Sequence, residues 1–381
     1  CVRVNTWSVP GQSRAVVLLR GAAERGEVGH AWAFVGPAGV GQERAARALA
    51  AALNCPQGPD GVACGSCPTC DRCLRGVHPD YWEFFPVGPA HRVSEVRDRW
   101  LRAASRSSAQ GGWKLLRVVD ADRMNDAAAN AFLKALEEPP PRTVWVLEVV
   151  DPDELPDTVL SRCRTVRFVS WGPAELDAEA RRLGVADPDE RALAVRASLG
   201  TPAALRRLAA PGGLADLRAH RDIPRRLRED GPGYALVAAR QLDEEVKRRT
   251  AALKADGKTQ LESLAGIYGG QAPRAVVKEV SDRQARRERE ARTTLVQAAL
   301  DDLVAWYRDC LLVGAGGDPG SAINLDAAAA LCADAAALGP AAALRAIDLV
   351  LALRDELELN LQQGLALEAL FLRLSVLTRG A

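Results

Sequence analysis

Through the first 170 residues, short apolar runs bounded by turn residues alternate with amphipathic stretches. Ala31 to Val35, Trp113 to Val119 and Thr143 to Val150 are nearly uninterrupted apolar runs. That is the pattern of strands buried on both faces of a parallel sheet. His78-Pro79-Asp80-Tyr81-Trp82 leads a further short strand, and Val166 to Val169 reads as the last one. Helices are expected over Ser13 to Arg25, the alanine-rich Glu43 to Leu53, Val93 to Ala104, and Asn125 to Glu137. The last is stopped by Pro139-Pro140-Pro141, which cannot continue a helix. Leu155 to Leu160 forms a short helix or turn. Strands alternating with helices in this way predict an α/β domain with a parallel sheet.

After Trp171-Gly172-Pro173 the strand signals fade. Ala174 to Leu208 holds three short helices, with Leu199-Gly200-Thr201-Pro202 between the second and third. Pro211-Gly212-Gly213 and Arg221 to Arg226 read as the next hinge. From Tyr234 to Thr378 the pattern is long helices, broken at Gly269-Gly270, Gly314 to Gly320 and Gly339-Pro340. A charged stretch (Lys247-Arg248-Arg249, Lys254, Lys258, Arg274, Lys278, Arg283 to Arg292) reads as solvated helix faces; a DNA-facing patch is its minor alternative.

Length and composition narrow the class. With 381 residues, two or three domains are expected. A formal net charge of +1 gives no whole-molecule field toward nucleic acid or membrane, so any such contact is local. No run of about 18 uncharged apolar residues appears, and no secretion signal, so a membrane span is not expected and a cytoplasmic protein is. Cys1 in place of a starting Met predicts a short preceding piece. Five of the nine cysteines, Cys55, Cys64, Cys67, Cys70 and Cys73, lie within residues 55–73. Without a secretion signal, that clustering points to metal binding in a reducing compartment.

Four motifs carry the chemistry. Phe34-Val35-Gly36-Pro37-Ala38-Gly39-Val40-Gly41-Gln42-Glu43 has the outline of a phosphate-binding loop between strand and helix. Gly36, Gly39 and Gly41 shape a turn whose backbone N–H groups can face an anion. A working loop reads G-x-x-x-x-G-K-[ST], with lysine on the β/γ-phosphates and a hydroxyl on Mg²⁺. Here Gln42 replaces the lysine and Glu43 the hydroxyl; a neutral amide cannot match an ammonium, and a carboxylate repels the nucleotide. The strand ending Val118-Val119-Asp120-Ala121-Asp122 stands where a Walker B strand belongs. Asp120 fits the metal-holding acid, but Ala121 has no base to polarise water. The cysteines, spaced Cys55-x8-Cys64-x2-Cys67-x2-Cys70-x2-Cys73, supply paired C-x-x-C units for a tetrahedral, structural zinc. One is surplus, and the spacing does not say which. Finally, Ser161-Arg162-Cys163 puts an arginine in a loop near the sheet edge, suited to a phosphate or to a plain surface ion pair.

Taken in order, these motifs with His78-Pro79-Asp80 and Asn130-Ala131-Phe132-Leu133-Lys134-Ala135-Leu136-Glu137-Glu138-Pro139-Pro140 resemble the bacterial DNA polymerase III clamp-loader subunits. The resemblance is dense over residues 9–170 and weaker to about 208. It implies a RecA-like AAA+ domain over 1–171 with a zinc module at 55–73, a helical lid over 172–215, and a helical collar over 216–381 that joins a hetero-oligomeric ring. It assigns zinc to Cys55, Cys64, Cys67 and Cys70, leaving Cys73 as the extra thiol. The family's sensor-2 arginine is absent from Gly200-Thr201-Pro202-Ala203, where Ala203 takes its place, and the sensor-1 polar residue is absent from Val149-Val150-Asp151. With Gln42, Glu43 and Ala121, these losses make the chain similar to the non-hydrolysing delta-prime branch rather than the gamma/tau ATPases. The implied role is in a ring with gamma/tau and delta subunits that loads the sliding clamp (beta) onto primer-template DNA within the replisome. The chain binds and turns over no ATP itself, while Arg162, with Ser161 and Cys163, acts as a finger on a neighbour's ATP. The competing readings are an active gamma/tau-type ATPase and a zinc-ribbon nucleic-acid-binding protein.

Overall fold

Five strands form one parallel sheet in the order β2-β3-β4-β1-β5: β1 (Ala31–Val35), β2 (Tyr81–Phe84), β3 (Lys114–Val118), β4 (Thr143–Val149) and β5 (Arg164–Arg167). The computed structural model describes residues 6–58, 62–86, 90–267, 274–357 and 362–379. Helices α1 (Ser13–Glu24), α2 (Gln42–Asn54), α3 (Pro68–Leu74), α4 (93–105, with a π turn at Val96–Trp100), α5 (Asp126–Glu137) and α6 (Asp157–Leu160) surround the sheet. The α/β parallel sheet expected from the apolar runs is therefore present. Because every pair is parallel, the C-terminal strand ends, and the loops that leave them, share one edge.

One face of the sheet is filled by aromatic packing. Phe132 of α5 stands edge-on to Trp145 of β4 at 4.7 Å and to Trp100 of α4 at 5.6 Å between ring centroids. All three rings are fully buried. Such edge-to-face pairs add about 0.5–1.5 kcal/mol each beyond area burial, so Phe132 fixes where α5 sits and hence where its end lies. Asn125 starts that helix by accepting the Ala128 N–H at 2.9 Å.

Three local expectations are corrected. The last strand lies at Arg164–Arg167, not Val166–Val169. Its alternation is mostly exposed, and the backbone of Val169 is taken by Gln12, which accepts its N–H at 3.0 Å and donates to its carbonyl at 2.6 Å. The cysteine segment is not all loop: Pro68–Leu74 is helical, with Pro68 in its first turn and the Cys67 sulfur accepting the Cys70 N–H. Arg221 to Arg226 is not a hinge but the middle of a helix through Pro224. Buried Pro224 and the paired fork of Arg221 on Asp326 hold it there against the local cost of proline.

The remaining helices are α7 (Pro173–Arg182), α8 (Pro188–Ala197), α9 (Pro202–Ala209), α10 (Gly213–Asp230), α11 (Pro232–Ile267), α12 (Arg274–Gly314), α13 (Ala328–Leu357) and α14 (Gln363–Arg379). The chain forms two compact units, residues 1–186 with 198–206, and 187–197 with 207–381. The helices of 172–215 are thus divided: α7 and the start of α9 pack with the sheet, while α8 belongs to the helical unit. The expected break at Gly269-Gly270 lies outside the described residues. The one at Gly339-Pro340 is a kink inside α13, where Gly339 has φ 69° and ψ 159°.

The helical unit has its own core, including Trp306, Tyr307, Leu300, Leu331, Val350 and Phe371. One stretch, Leu325–Arg354, is apolar and long enough by composition to cross a membrane, with mean hydropathy 1.7; it carries Asp326, Asp334, Arg345 and Asp348, so it holds no uncharged run of 18 residues. It contains the Gly339 kink, and its Asp334 accepts Trp306 Nε1 at 3.2 Å and pairs with Arg228 at 2.8 Å.

Candidate functional site

The turn between β1 and α2 keeps the geometry of a phosphate loop. Gly36 has φ 151°, and a Cβ there would lie 2.1 Å from the Phe168 carbonyl oxygen. Gly41 has φ 137°, with Val9 against it. No side chain fits at either position without moving backbone or core. From outside, Gln12 Nε2 at 3.2 Å and Trp171 Nε1 at 2.7 Å both donate to the Val40 carbonyl and hold the loop in shape.

Gln42 decides what this loop can do. Its side chain is buried and turned into the turn it follows. Nε2 donates to the Pro37 carbonyl at 2.7 Å and, at 3.4 Å, to that of Gly36; Oε1 accepts the Gly41 N–H at 3.2 Å. A backbone donor that an anion would need is already used. Glu43 points elsewhere and pairs with Arg47 at 2.5 Å. From there a ladder of charges crosses the sheet: Arg47 lies 3.7 Å from Glu83, Arg117 bonds Glu83 at 2.7 Å, and Arg117 forks onto Glu148 at 2.7 and 2.9 Å. Sequence reasoning missed this ladder because its members come from α2 and three different strands.

At the same sheet edge, Asp120 adopts a left-handed backbone (φ 50°, ψ 53°) and lies 3.7 Å from Arg123. Burial pushes its carboxyl above the ordinary aspartate range, with Arg123 opposing. Ala121 is fully buried. Asp122 Oδ2 accepts the N–H groups of Val150 and Asp151 at 2.7 and 2.8 Å, closing the loop after β4 with a carboxylate. Ala203, at the start of α9, faces the glycine turn: a Cβ built on Gly39 would be 3.5 Å from its Cβ.

Arg162 is not free. Its Nη2 donates to Glu137 Oε1 at 2.7 Å and its Nη1 to the Thr158 carbonyl at 2.7 Å, with the side chain 37% exposed. Ser161 is exposed and Cys163 largely buried, its thiol donating to the Val159 carbonyl at 3.4 Å and pushed up to about 12 by burial. Glu137 had been legible only as part of a motif string, with no role attached.

The sulfurs of Cys55, Cys64, Cys67 and Cys70 lie within 4.8 Å of one another. Backbone N–H groups aim at them: Cys64 N on Cys55 Sγ at 3.3 Å, Cys67 N on Cys64 Sγ and Cys70 N on Cys67 Sγ, each at 3.4 Å. Donors directed at sulfur suit thiolates, so the set fits a soft divalent cation with a closed shell. Cys73 is fully buried outside this cluster. In the charged stretch, Lys247, Arg249 and Arg292 pair with Asp243, Glu245, Asp216 and Asp243 within the helical unit. Those partners support the solvated-face reading. The side chains of Lys258, Arg274, Lys278 and Arg283 lie outside the described residues.

A parallel sheet in this strand order, with a glycine turn after the inner strand β1 and an acid after β3, has the layout of a RecA-like core. Residues 11–171 match the family described as DNA polymerase III, delta subunit. The delta' subunit of Pseudomonas aeruginosa is 36% identical over 195 residues, 49% of this chain and 58% of that protein. The delta' subunit of Bacillus subtilis is 34% identical over 166 residues, 44% of this chain and 50% of its own length. The tau subunit of Escherichia coli is 34% identical over 155 residues, 41% of this chain and 24% of tau. The chain thus spans only about a quarter to somewhat over half the length of these relatives.

Proposed function

We propose that the chain is the non-hydrolysing, delta-prime-type subunit of a DNA polymerase III clamp loader. The observation that carries this is the Gln42 amide folded into its own loop, where it occupies the Gly41 N–H. Buried Ala121 and the alanine facing Gly39 support it, since neither can supply a base or a cation. Under this reading the chain works by position. Its partners are gamma/tau and delta, and it meets the sliding clamp and primed DNA through the assembled ring. An exposed apolar groove of about 530 Å³ beside Leu349, Leu372, Val376 and Leu377 of the helical unit is consistent with a collar role.

Arg162 would then act on the γ-phosphate of a neighbouring subunit's ATP, where a guanidinium stabilises charge on the transferring phosphoryl group. Cys55, Cys64, Cys67 and Cys70 would hold one zinc. That ion supplies folding energy to a short loop-rich module, with no open position for catalysis. The gamma/tau type of ATPase is the second reading, favoured by the 34% identity to tau.

The test is steady-state ATPase of the isolated chain and of the reconstituted complex with and without it, then with Arg162→Ala. The expected result is no turnover by the chain alone, and clamp-stimulated turnover that falls with Arg162→Ala while assembly and zinc persist. Turnover by the isolated chain would establish the second reading; an unaltered mutant complex would remove the finger role.

A further inference from the structure

We propose that Glu137 is a positioning residue for Arg162, holding the guanidinium at the surface from which it acts in trans. This rests on the role given to Arg162 above. The two bonds to Arg162 come from two elements, the Glu137 carboxylate ending α5 and the Thr158 carbonyl of α6. Their relative placement is fixed by packing: Val159 is fully buried, and Leu160 and Cys163 pack against the cluster containing Phe132 and Leu136.

Glu137 itself cannot drift. It is the last residue of α5, Glu138 leaves the helix at φ −122°, and Pro139-Pro140 prevent another turn. A carboxylate at a helix C-terminus faces the negative end of the dipole, a placement helices disfavour. The guanidinium opposite it offsets that charge. The pair is a relation between two sites rather than a feature of either helix.

The geometry leaves the arginine usable. A guanidinium has five N–H donors in a rigid fork, and two are engaged here. The others remain to meet phosphate oxygens. Ordering a long side chain beforehand removes an entropic cost from the encounter. The pair is also half in solvent, 37% and 51% exposed, so it orients without trapping.

The experiment is the ATPase of the reconstituted complex, stimulated by clamp and primed DNA, carrying Glu137→Gln, Glu137→Asp, Arg162→Ala or the double variant Arg162→Ala/Glu137→Gln. Ring assembly and zinc content serve as fold controls. Glu137→Gln should lower kcat by ~2–5-fold at unchanged KM for ATP, the range an exposed ion pair can supply. Glu137→Asp should recover part of the loss, and the double variant should be no slower than Arg162→Ala. The proposal is overturned if Glu137→Gln runs at the parent rate while Arg162→Ala is slow. It is equally overturned if Glu137→Gln slows the Arg162→Ala complex by the same factor as the parent. A parent rate for Arg162→Ala itself would remove the in-trans role, and this proposal with it.

Discussion

Gln42 Oε1 accepts the Gly41 N–H at 3.2 Å, so the residue in the lysine position of a phosphate loop seals the loop instead of opening it to a ligand. The same amide donates to Pro37 on the other side of the turn. Loss of charge and loss of space therefore coincide in one side chain.

Nucleotide binding should follow from that. The isolated chain should show no ATP affinity tighter than roughly millimolar by calorimetry. Gln42→Lys should not restore hydrolysis, because Glu43 still repels the metal-nucleotide and Ala121 still lacks a base. Micromolar ATP affinity with turnover abolished by Asp120→Ala would be incompatible with this account.

Metal content is a separate matter. The purified protein should carry one zinc, and chelation should disorder the segment around Cys64 to Cys70 while leaving the sheet folded. Serine at Cys55, Cys64, Cys67 or Cys70 should lose the ion. Cys73→Ala should keep it, since that thiol is buried outside the cluster. Elemental analysis finding no zinc, or zinc retained by Cys70→Ser and lost by Cys73→Ala, would show another ligand set.

Arg117 joins Glu83 and Glu148 with its side chain only 7% exposed. Arg117→Met should destabilise the protein by about 3–5 kcal/mol, the scale for leaving buried carboxylates without their cation. Thermal unfolding of the full chain measures it. A transition within a degree of the parent would mean that water already screens the ladder.

Partly buried Cys163 and buried Cys310 set an alkaline limit. Burial pushes Cys163 and Cys310 up to about 12 from an ordinary 9.0. Between those values the unfolded chain gives up protons that the folded chain keeps. Their contribution to stability is thus complete below pH 9 and is lost as pH rises toward 12. At pH 8, exposed Cys332 should react with a thiol reagent first, and Cys163 and Cys310 only on unfolding. Labelling of Cys163 as fast as Cys332 in native protein would contradict this.

The elements of the sheet domain were legible because each announces itself locally. The runs at Ala31 and Thr143 are apolar because both sheet faces are covered, and Pro139-Pro140-Pro141 can only end a helix. A cysteine metal site was legible because C-x-x-C spacing brings neighbouring sulfurs together whatever surrounds them, although the spacing left open which four of the five cysteines form it and did not show the helix at Pro68–Leu74. β5 was misplaced because an edge strand buried on one residue in four carries little apolar signal.

What only the tertiary structure decided are relations between distant residues. The sequence by itself determined that Gln42 cannot do a lysine's work. That its amide also fills the turn depends on how Gln12 and Trp171, from opposite ends of the domain, hold the Val40 carbonyl. Likewise Arg162 and Glu137 each stand in a recognisable string, yet nothing in either string says that they meet. They meet because Phe132 seats α5 on the sheet and Val159 seats α6 on α5. Short-range rules fix the strings, and long-range packing fixes the distance between them.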